Sequence, residues 1–256
     1  MDDVLIRGTS KRLWYIDKYL MPALLESGVP QEKIHLFVDD KRRGALGSYF
    51  ALADVLPRID SNCVWHLQDD VYPVSNFAKA CEELESICPD GIIAGFWPRN
   101  QRHIPEGQHG HITGFGLKPN REWQLWAFQC IRIPTVVALD SIKWIRDKGE
   151  QRAFPKSDCG DLQSLYDNNI GDDTLFWAYL ETVWPDEMHY DCEVSLVDHI
   201  GEFIGGSLLG NRIGRARNFP DKDKVDALAD EWREIAKEKT LEQLAKLGVD
   251  VTKVKI

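Results

Sequence analysis

The 256-residue sequence lacks the long apolar runs and the paired cysteines that mark membrane-spanning or disulfide-rich proteins. No run approaches the roughly 18 apolar residues that a membrane-spanning helix needs. The six cysteines form no CxxC pair and no regular framework, which is typical of reduced, mostly buried thiols. The opening residues, MDDVLIRGTSKR, have neither the basic start nor the apolar stretch of a signal peptide. We therefore expect a cytoplasmic protein without a membrane span.

Basic residues are also in the minority, with 31 Lys and Arg against 41 Asp and Glu and a net charge of −10. This balance disfavours a surface that coats nucleic acid, although a local basic cleft stays compatible with it. The sequence has no internal repeat and no low-complexity segment. Its hydrophobic content of 43%, with nine Trp, suffices for a sizeable core. The totals indicate one large globular domain, or one domain with a helical appendage.

Apolar strands and amphipathic helices alternate along the first third of the chain. The predicted strands are 4–7, 33–40, 63–70 and 91–98, and the predicted helices between them are 13–28, 44–57 and 74–89. This order predicts an α/β fold with a mostly parallel, Rossmann-like central sheet flanked by helices. The pattern then loosens, with further elements predicted at 122–134 (strand), 135–149 (helix), 173–182 (helix) and from 221 onward (a charged helical tail).

Two pairs of adjacent carboxylates follow predicted strands. Asp39 and Asp40 end the second strand, and Asp69 and Asp70 end the third. In open α/β sheets, ligands bind in the crevice outside the carboxyl ends of the strands. Carboxylate oxygens suit a hard divalent cation, which would bridge them to phosphate oxygens. The alternative is that each pair only begins a solvated loop or caps a helix.

The stretch HLQDDVYP, residues 66–73, resembles the metal-binding motif of GT-A-fold glycosyltransferases, in which a hydrophobic strand ends in DxD, EDD or DDD. The resemblance implies a GT-A-like fold that uses a nucleotide-sugar donor, with a UDP-sugar favoured, together with Mn²⁺ or Mg²⁺. It makes Asp70 the metal ligand and places Asp69 beside it, on the metal or the donor. Gln68 stands where the family often has an acid, so a further ligand is expected elsewhere.

The same resemblance extends to the donor side of the site. The segment LIRGTSKR corresponds to the part that holds base and ribose, and Asp39 of FVDD corresponds to an acid that faces the base. In the triplet Lys41 to Arg43, we take Arg43 as the phosphate contact, with a solvated loop as the alternative. The expected donor contacts of the first segment are Arg7, Gly8, Thr9 and Ser10.

The stretch NIGDDTLFWAYL resembles the acidic pair that begins a helix facing the acceptor in inverting members of the family. It implies that Asp173, ahead of Asp172, deprotonates the acceptor hydroxyl. The alternative is an ordinary helix N-cap, a role in which Asp stabilises a helix without any catalysis.

Near the end, SLVDHIG resembles the segment that supplies a histidine to the metal, which makes His199 the third ligand. A buried histidine satisfied by its core surroundings is the alternative. Arg212 and Arg215 follow in a Gly-flanked loop that would close over a diphosphate or form a basic surface turn.

The resemblance implies transfer of a sugar from a nucleotide diphosphate to an acceptor hydroxyl, with inversion at the anomeric carbon favoured over retention. It divides the chain into one catalytic domain, 1–219, with a nucleotide-binding half (1–98) and an acceptor-binding half (99–219), and a helical extension, 220–256. The acceptor stays open: a glycan, a small molecule, a protein, or a hydroxymethylated DNA base, which the net charge disfavours. The rival functions are a sugar-nucleotide pyrophosphorylase and a non-catalytic nucleotide-sugar binding module.

Overall fold

The computed structural model of the protein describes residues 1–41, 43–96, 117–120, 128–157, 160–185, 189–192, 194–205, 215–216 and 218–254. These residues form a seven-stranded sheet with helices on both faces and a separate two-stranded ribbon.

The strands are β1 (Asp3–Thr9), β2 (Ile34–Asp39), β3 (Cys63–Gln68), β4 (Val71–Pro73), β5 (Ile92–Ala94), β6 (Leu117–Asn120), β7 (Cys130–Pro134), β8 (His189–Cys192) and β9 (Val197–His199). The α-helices are α1 (Leu13–Tyr15), α2 (Met21–Glu26), α3 (Gly44–Ala51), α4 (Phe77–Ile87), α5 (Thr135–Glu150), α6 (Leu162–Asp167), α7 (Asp172–Val183), α8 (Gly201–Ile204) and α9 (Lys222–Lys246). A π-helical segment, Ile16–Leu20, joins α1 to α2.

The sheet order is β2-β1-β3-β7-β5-β8-β6, and the ribbon pairs β4 with β9. Strand β1 runs parallel to both β2 and β3, whereas β7 runs antiparallel to its neighbours β3 and β5. Strand β8 is parallel to β5, and β6 is antiparallel to β8. All strands of the seven-stranded sheet except β6 and β7 therefore point the same way, so the carboxyl ends of β1, β2 and β3 share one edge of the sheet.

The predicted α/β class, with a mostly parallel central sheet, flanking helices and a C-terminal helix, is confirmed. The sequence pattern did not reveal β6, β8 or the β4–β9 ribbon, because strands of three or four residues show too little periodicity to be recognised. It also did not reveal that β7 enters the middle of the sheet in the antiparallel sense. Strand direction depends on the path of the preceding connection, which hydrophobic alternation does not encode.

Side-chain alternation in the central strands divides the core into two layers. Val4 and Ile6 of β1 and Trp65 of β3 face a layer that includes α2, α4 and α9. Leu5 and Val64, on the other side of the same strands, face a layer that includes α3, α5 and α7. Burial of both faces explains why these strands read as nearly continuous apolar runs in the sequence.

The helical tail contributes to the first of these layers. Val225, Ala229 and Trp232 of α9 are buried in the same cluster as β1 and β3. Trp232 is fully buried, and its ring lies 5.6 Å from each of the rings of Tyr15, Tyr19 and Tyr72. Among the described residues, no helix has both the length and the hydropathy required to cross a membrane.

The packing of Trp232 predicts that Trp232→Ala lowers the free energy of unfolding by about 3–5 kcal/mol, because the truncation leaves a cavity among aromatic rings. Trp232→Phe should cost less, since the buried indole N–H has no hydrogen-bond partner among the described residues. Leu247→Ala is the control, because Leu247 is 79% exposed. Urea denaturation of the three variants checks the order; equal losses for Trp232→Ala and Leu247→Ala would contradict the packing.

Candidate active site

The ends of β1, β2 and β3 bring polar side chains from distant parts of the sequence to one edge of the sheet. Thr9 pairs in register with Asp39, and Arg7 pairs with Gln68, so Asp69 follows β3 directly beside the end of β1. Asp69 and Asp70 are 5% and 6% exposed, and Asp39 is 4% exposed. The expected acidic edge is therefore present, and its carboxylates are buried.

The Asp69 carboxylate is fixed by the end of β1. Its Oδ2 accepts hydrogen bonds from the Thr9 backbone N–H at 2.7 Å and from the Thr9 hydroxyl at 3.2 Å. Gly8 permits this approach, since a Cβ at position 8 would lie 2.6 Å from Ile16 Cδ1 and 3.3 Å from Asp69 Cβ. Gly8 and Thr9, predicted to hold the nucleotide, thus hold Asp69 in this structure.

The β4–β9 ribbon brings the distant His199 to the carboxylate pair. Val71 pairs in register with His199, and the Ile200 backbone N–H donates to the Asp70 carbonyl at 2.8 Å. As a result, His199 Nε2 lies 3.4 Å from Asp70 Oδ2. Gly201 leaves room for the imidazole, because a Cβ there would lie 2.9 Å from His199 Nε2. The structure brings His199 and Asp70 together, while the metal-binding role of both stays a prediction.

A residue that the sequence reading did not select, Arg12, lies against both carboxylates. Its Nη1 is 2.5 Å from Asp69 Oδ1 and 3.0 Å from Asp70 Oδ2, and its side chain is 12% exposed. Arg12 belongs to the helical turn that follows β1 in the segment TSKR. Two features of the sequence could have indicated this contact: Arg12 follows the end of β1, and the neighbouring strand β3 is followed by two acids. A salt bridge across 57 residues cannot be read from local pattern.

The surroundings of the pair shift its two pKa values in opposite directions. Burial raises the pKa of Asp69, and the charge of Arg12 offsets this only in part. Burial also acts to raise the pKa of Asp70, but the charges and hydrogen bonds of Arg12 and His199 outweigh it, so the pKa falls below its usual value. Asp70 is the more strongly ionised member, and its Oδ1 has no hydrogen-bond partner among the described residues.

The second predicted acidic pair, at the start of α7, is connected to the same strand. Arg7 Nη2 lies 2.5 Å from Asp172 Oδ2, and both side chains are buried. Arg7 Nη1 also donates to the Ala45 carbonyl at 3.3 Å, and the guanidinium stacks near the rings of Tyr49 and Phe128. Arg7 was expected to contact the nucleotide; in this structure its guanidinium compensates the charge of Asp172.

Asp173 has a different environment from Asp172. It is partly exposed, and its Oδ1 accepts the Thr174 backbone N–H at 2.7 Å. Burial of the carboxyl and the adjacent charge of Asp172 raise its pKa to about 6. Of the two predicted catalytic carboxylates, Asp173 is the one with a pKa near neutrality, and it forms no salt bridge to a guanidinium among the described residues. This environment suits a general base better than that of Asp172.

The remaining predicted donor contacts differ in their surroundings. Asp39 accepts the Arg43 backbone N–H at 2.8 Å and the Arg43 guanidinium at 3.3 Å, so the two residues hold the turn before α3. Ser10 is exposed in the turn after β1. Arg215 donates from Nε to Asp198 at 2.7 Å and also pairs with Asp226. Arg212 lies outside the described residues, and the binding roles of all these residues stay predictions.

Comparison with known proteins identifies no family for the chain: no protein-family model and no curated protein matches it. Among solved structures, it is similar to A197 from STIV, with a TM-score of 0.38 and 12% identity over 78% of this chain and 85% of that chain. It is also similar to S. aureus TarS, with a TM-score of 0.42 and 14% identity over 77% of this chain and 36% of that chain. TarS 1–349 in complex with UDP-GlcNAc gives a TM-score of 0.41 and 14% identity, with 58% of that chain covered. The chain thus spans about a third to three fifths of the TarS chains, and similarity at this level assigns neither a ligand nor an activity.

The contrast between the two α7 carboxylates predicts different effects on stability. Asp172→Asn should lower the free energy of unfolding by about 3–5 kcal/mol, because it leaves the Arg7 guanidinium buried without its counter-charge. Asp173→Asn should stabilise the protein above pH 6, because a pKa raised from 3.8 means that the folded state disfavours the charged carboxylate. The gain in the free energy of unfolding should shrink as the pH falls from about 6 towards 4, because the wild-type carboxyl becomes protonated in the folded state and then in the unfolded state.

Chemical denaturation of both variants at pH 5 and pH 8 checks these signs. Asp167→Asn, at an exposed position in α6, controls for loss of a surface carboxylate. A gain at pH 8 for Asp172→Asn, or a loss there for Asp173→Asn as large as that for Asp172→Asn, would contradict the assignment.

Proposed function

We propose that the protein is a glycosyltransferase that binds a nucleotide-diphosphate sugar, a UDP-sugar first among them, and transfers the sugar to an acceptor hydroxyl. The observation that carries the proposal is the buried Asp69–Asp70 pair, in contact with the Arg12 guanidinium and His199. The pair lies at the shared carboxyl edge of β1, β2 and β3. This edge is where open α/β sheets bind ligands. Burying two like charges costs free energy even when a guanidinium compensates part of their charge. We therefore take the buried pair as a sign of function.

The donor would lie along the ends of β1 and β2. Thr9 and Ser10 border the carboxylate pair, and Asp39 with Arg43 borders the start of α3. Arginine guanidinium groups and backbone N–H groups both bind phosphate oxygens. In this arrangement the base and ribose contact the β1–β2 side and the diphosphate lies towards Asp69 and Asp70.

Asp173 would act as the general base of the transfer. It accepts the proton of the acceptor hydroxyl while that oxygen attacks the anomeric carbon and the nucleotide diphosphate departs. Direct displacement of this kind inverts the anomeric configuration. A carboxyl with a pKa of about 6 is ionised at neutral pH yet still basic enough to take a proton in the transition state. Asp172, bound to Arg7, keeps the start of α7 attached to β1.

The divalent cation implied by the sequence motif, Mn²⁺ or Mg²⁺, would require Asp70, Asp69 and His199 as ligands. The described residues contain no group of three such side chains arranged to hold a metal. Arg12 Nη1 contacts an oxygen of each carboxylate, so an ion could reach both only after the guanidinium moved away. The arrangement therefore does not fit a resident metal. The proposed reaction therefore has no step that uses a metal ion.

The two rival functions differ from this proposal in what they do with the donor. A pyrophosphorylase would form or cleave the nucleotide-sugar diphosphate with release of pyrophosphate. A binding module would hold the donor without turnover, and the raised pKa of Asp173 would then have no catalytic use. The acceptor, whether glycan, small molecule, protein side chain or hydroxymethylated DNA base, is not specified by the described residues.

A donor screen tests the proposed function. UDP-, GDP- and other nucleotide sugars are compared by thermal shift, and the true donor should raise the melting temperature of the protein. At about 100 times its Kd, a ligand adds about 2.7 kcal/mol to the free energy of unfolding. Mass spectrometry should then show slow hydrolysis of the bound donor to free sugar and nucleoside diphosphate. Asp173→Asn should slow the hydrolysis without removing the stabilisation by the donor, and Asp167→Asn should change neither. If no nucleotide sugar or nucleoside diphosphate binds, with or without Mn²⁺, the proposal is wrong.

The pKa of Asp173 predicts the pH dependence of the turnover. The value of kcat/KM for donor hydrolysis should rise about tenfold per pH unit below pH 6 and level off above it, because only the ionised carboxylate accepts a proton. Asp173→Asn should be slower by a factor of at least about 100 and should lose this limb of the profile. A variant with normal turnover and an unchanged profile would remove Asp173 from the mechanism.

A further inference from the structure

The position of Arg12 suggests a role beyond the proposed activity. Its guanidinium lies where an ion bridging Asp69 and Asp70 would need to bind, at 2.5 Å from one carboxylate and 3.0 Å from the other. The two carboxylates strengthen the hold of Arg12 on its proton, raising its pKa above the ordinary value despite burial. Arg12 is thus a permanent charge, and it neutralises one of the two carboxylate charges.

Two parts of the fold produce this arrangement, the end of β1 with its turn and the β4–β9 ribbon. The turn after β1 carries Arg12, the hydrogen bonds from Thr9 orient Asp69, and the β4–β9 ribbon places His199 against Asp70. Because arginine stays charged at all physiological pH values, the site keeps a positive charge without recruiting one from solution. The guanidinium has five N–H donors in a rigid plane, so one plane can bind carboxylates and phosphate oxygens together.

We propose that Arg12 takes the place of a divalent cation: it holds the Asp69–Asp70 pair and binds the diphosphate of the donor, so that donor binding needs no metal ion. The diphosphate part of this inference rests on the proposed function. The part that concerns Arg12 and the carboxylates rests on geometry alone, and it can be tested without any nucleotide.

Binding of Mn²⁺ alone tests the first part. Titration of the metal-free wild-type chain with Mn²⁺, followed by the electron paramagnetic resonance signal of the free ion, should show no stoichiometric binding. Arg12→Gln exposes two carboxylates and His199, with Asp70 Oδ1 already lacking a hydrogen-bond partner among the described residues, and should take up one Mn²⁺. The double variant Arg12→Gln with Asp70→Asn should lose this uptake. Lys11→Gln, which removes the same charge from the exposed neighbouring residue, should behave as the wild type.

Two results would overturn this part of the proposal. One is stoichiometric uptake of Mn²⁺ by the wild type that Asp70→Asn abolishes, since Arg12 would then not exclude the ion. The other is absence of uptake by a folded Arg12→Gln chain, since the carboxylate pair would then not be a cation site. The wild-type measurement needs no variant to fold, and circular dichroism monitors the folding of the others.

Calorimetric titration with UDP in the presence of EDTA tests the second part. The wild type should bind UDP with the same affinity in EDTA and in Mn²⁺. Arg12→Gln should bind it at least about tenfold more weakly in EDTA and should recover affinity when Mn²⁺ is added. Arg12→Lys, which keeps the charge but not the planar donor set, should fall between the two.

A wild-type chain that binds UDP only with Mn²⁺ would overturn the second part and leave the proposed function intact. If neither UDP nor the other nucleoside diphosphates of the donor screen bind under any condition, both the proposed function and the diphosphate role of Arg12 fail. The Mn²⁺ titrations then still decide whether Arg12 occupies a cation site.

Discussion

The structure depends on one electrostatic constraint, the burial of two adjacent carboxylates at the end of a core strand. Asp69 and Asp70 are both nearly excluded from water, so their repulsion and their lost hydration must be compensated by the protein itself. Arg12 compensates both, Thr9 compensates the first and His199 the second. Thr9 and Arg12 come from the end of β1 and the turn after it, and His199 comes from β9, so the constraint joins two distant segments to the end of β3. The turn after β1 and the β4–β9 ribbon each supply a partner to the buried carboxylates.

Strand β1 serves both acidic pairs. Thr9 holds Asp69, and Arg7, two residues earlier, holds Asp172 at the start of α7. Alternation along the strand sends Arg7 to the layer of α3, α5 and α7, while the strand end reaches the carboxylates of β3. The carboxylates at the start of α7 and those after β3 are therefore connected through one short piece of extended chain.

The local sequence was sufficient to predict the elements that have a clear hydrophobic pattern of their own. The strands β1, β2 and β3 were recognisable from apolar runs, and the carboxylates after them from their position at the strand ends. The contact of His199 with Asp70 also agrees with the sequence reading, although the ribbon that produces it was not recognised. Arg12 was missed because its importance arises only when β1 and β3 pair and place the turn over Asp69. Arg7 was assigned to the nucleotide for the same reason, since its partner Asp172 is 165 residues away.

The sequence separations of these contacts have a consequence for how the site forms during folding. Arg12 and Asp69 are 57 residues apart, Arg7 and Asp172 are 165 apart, and His199 joins from the last strand. Contacts between such distant residues carry a large loop-closure cost and form after local structure. Before these contacts form, we expect Asp69 and Asp70 to be hydrated carboxylates in an exposed segment, without the Arg12 guanidinium beside them. The site is thus a product of the completed sheet, and no short contiguous fragment of the chain contains it.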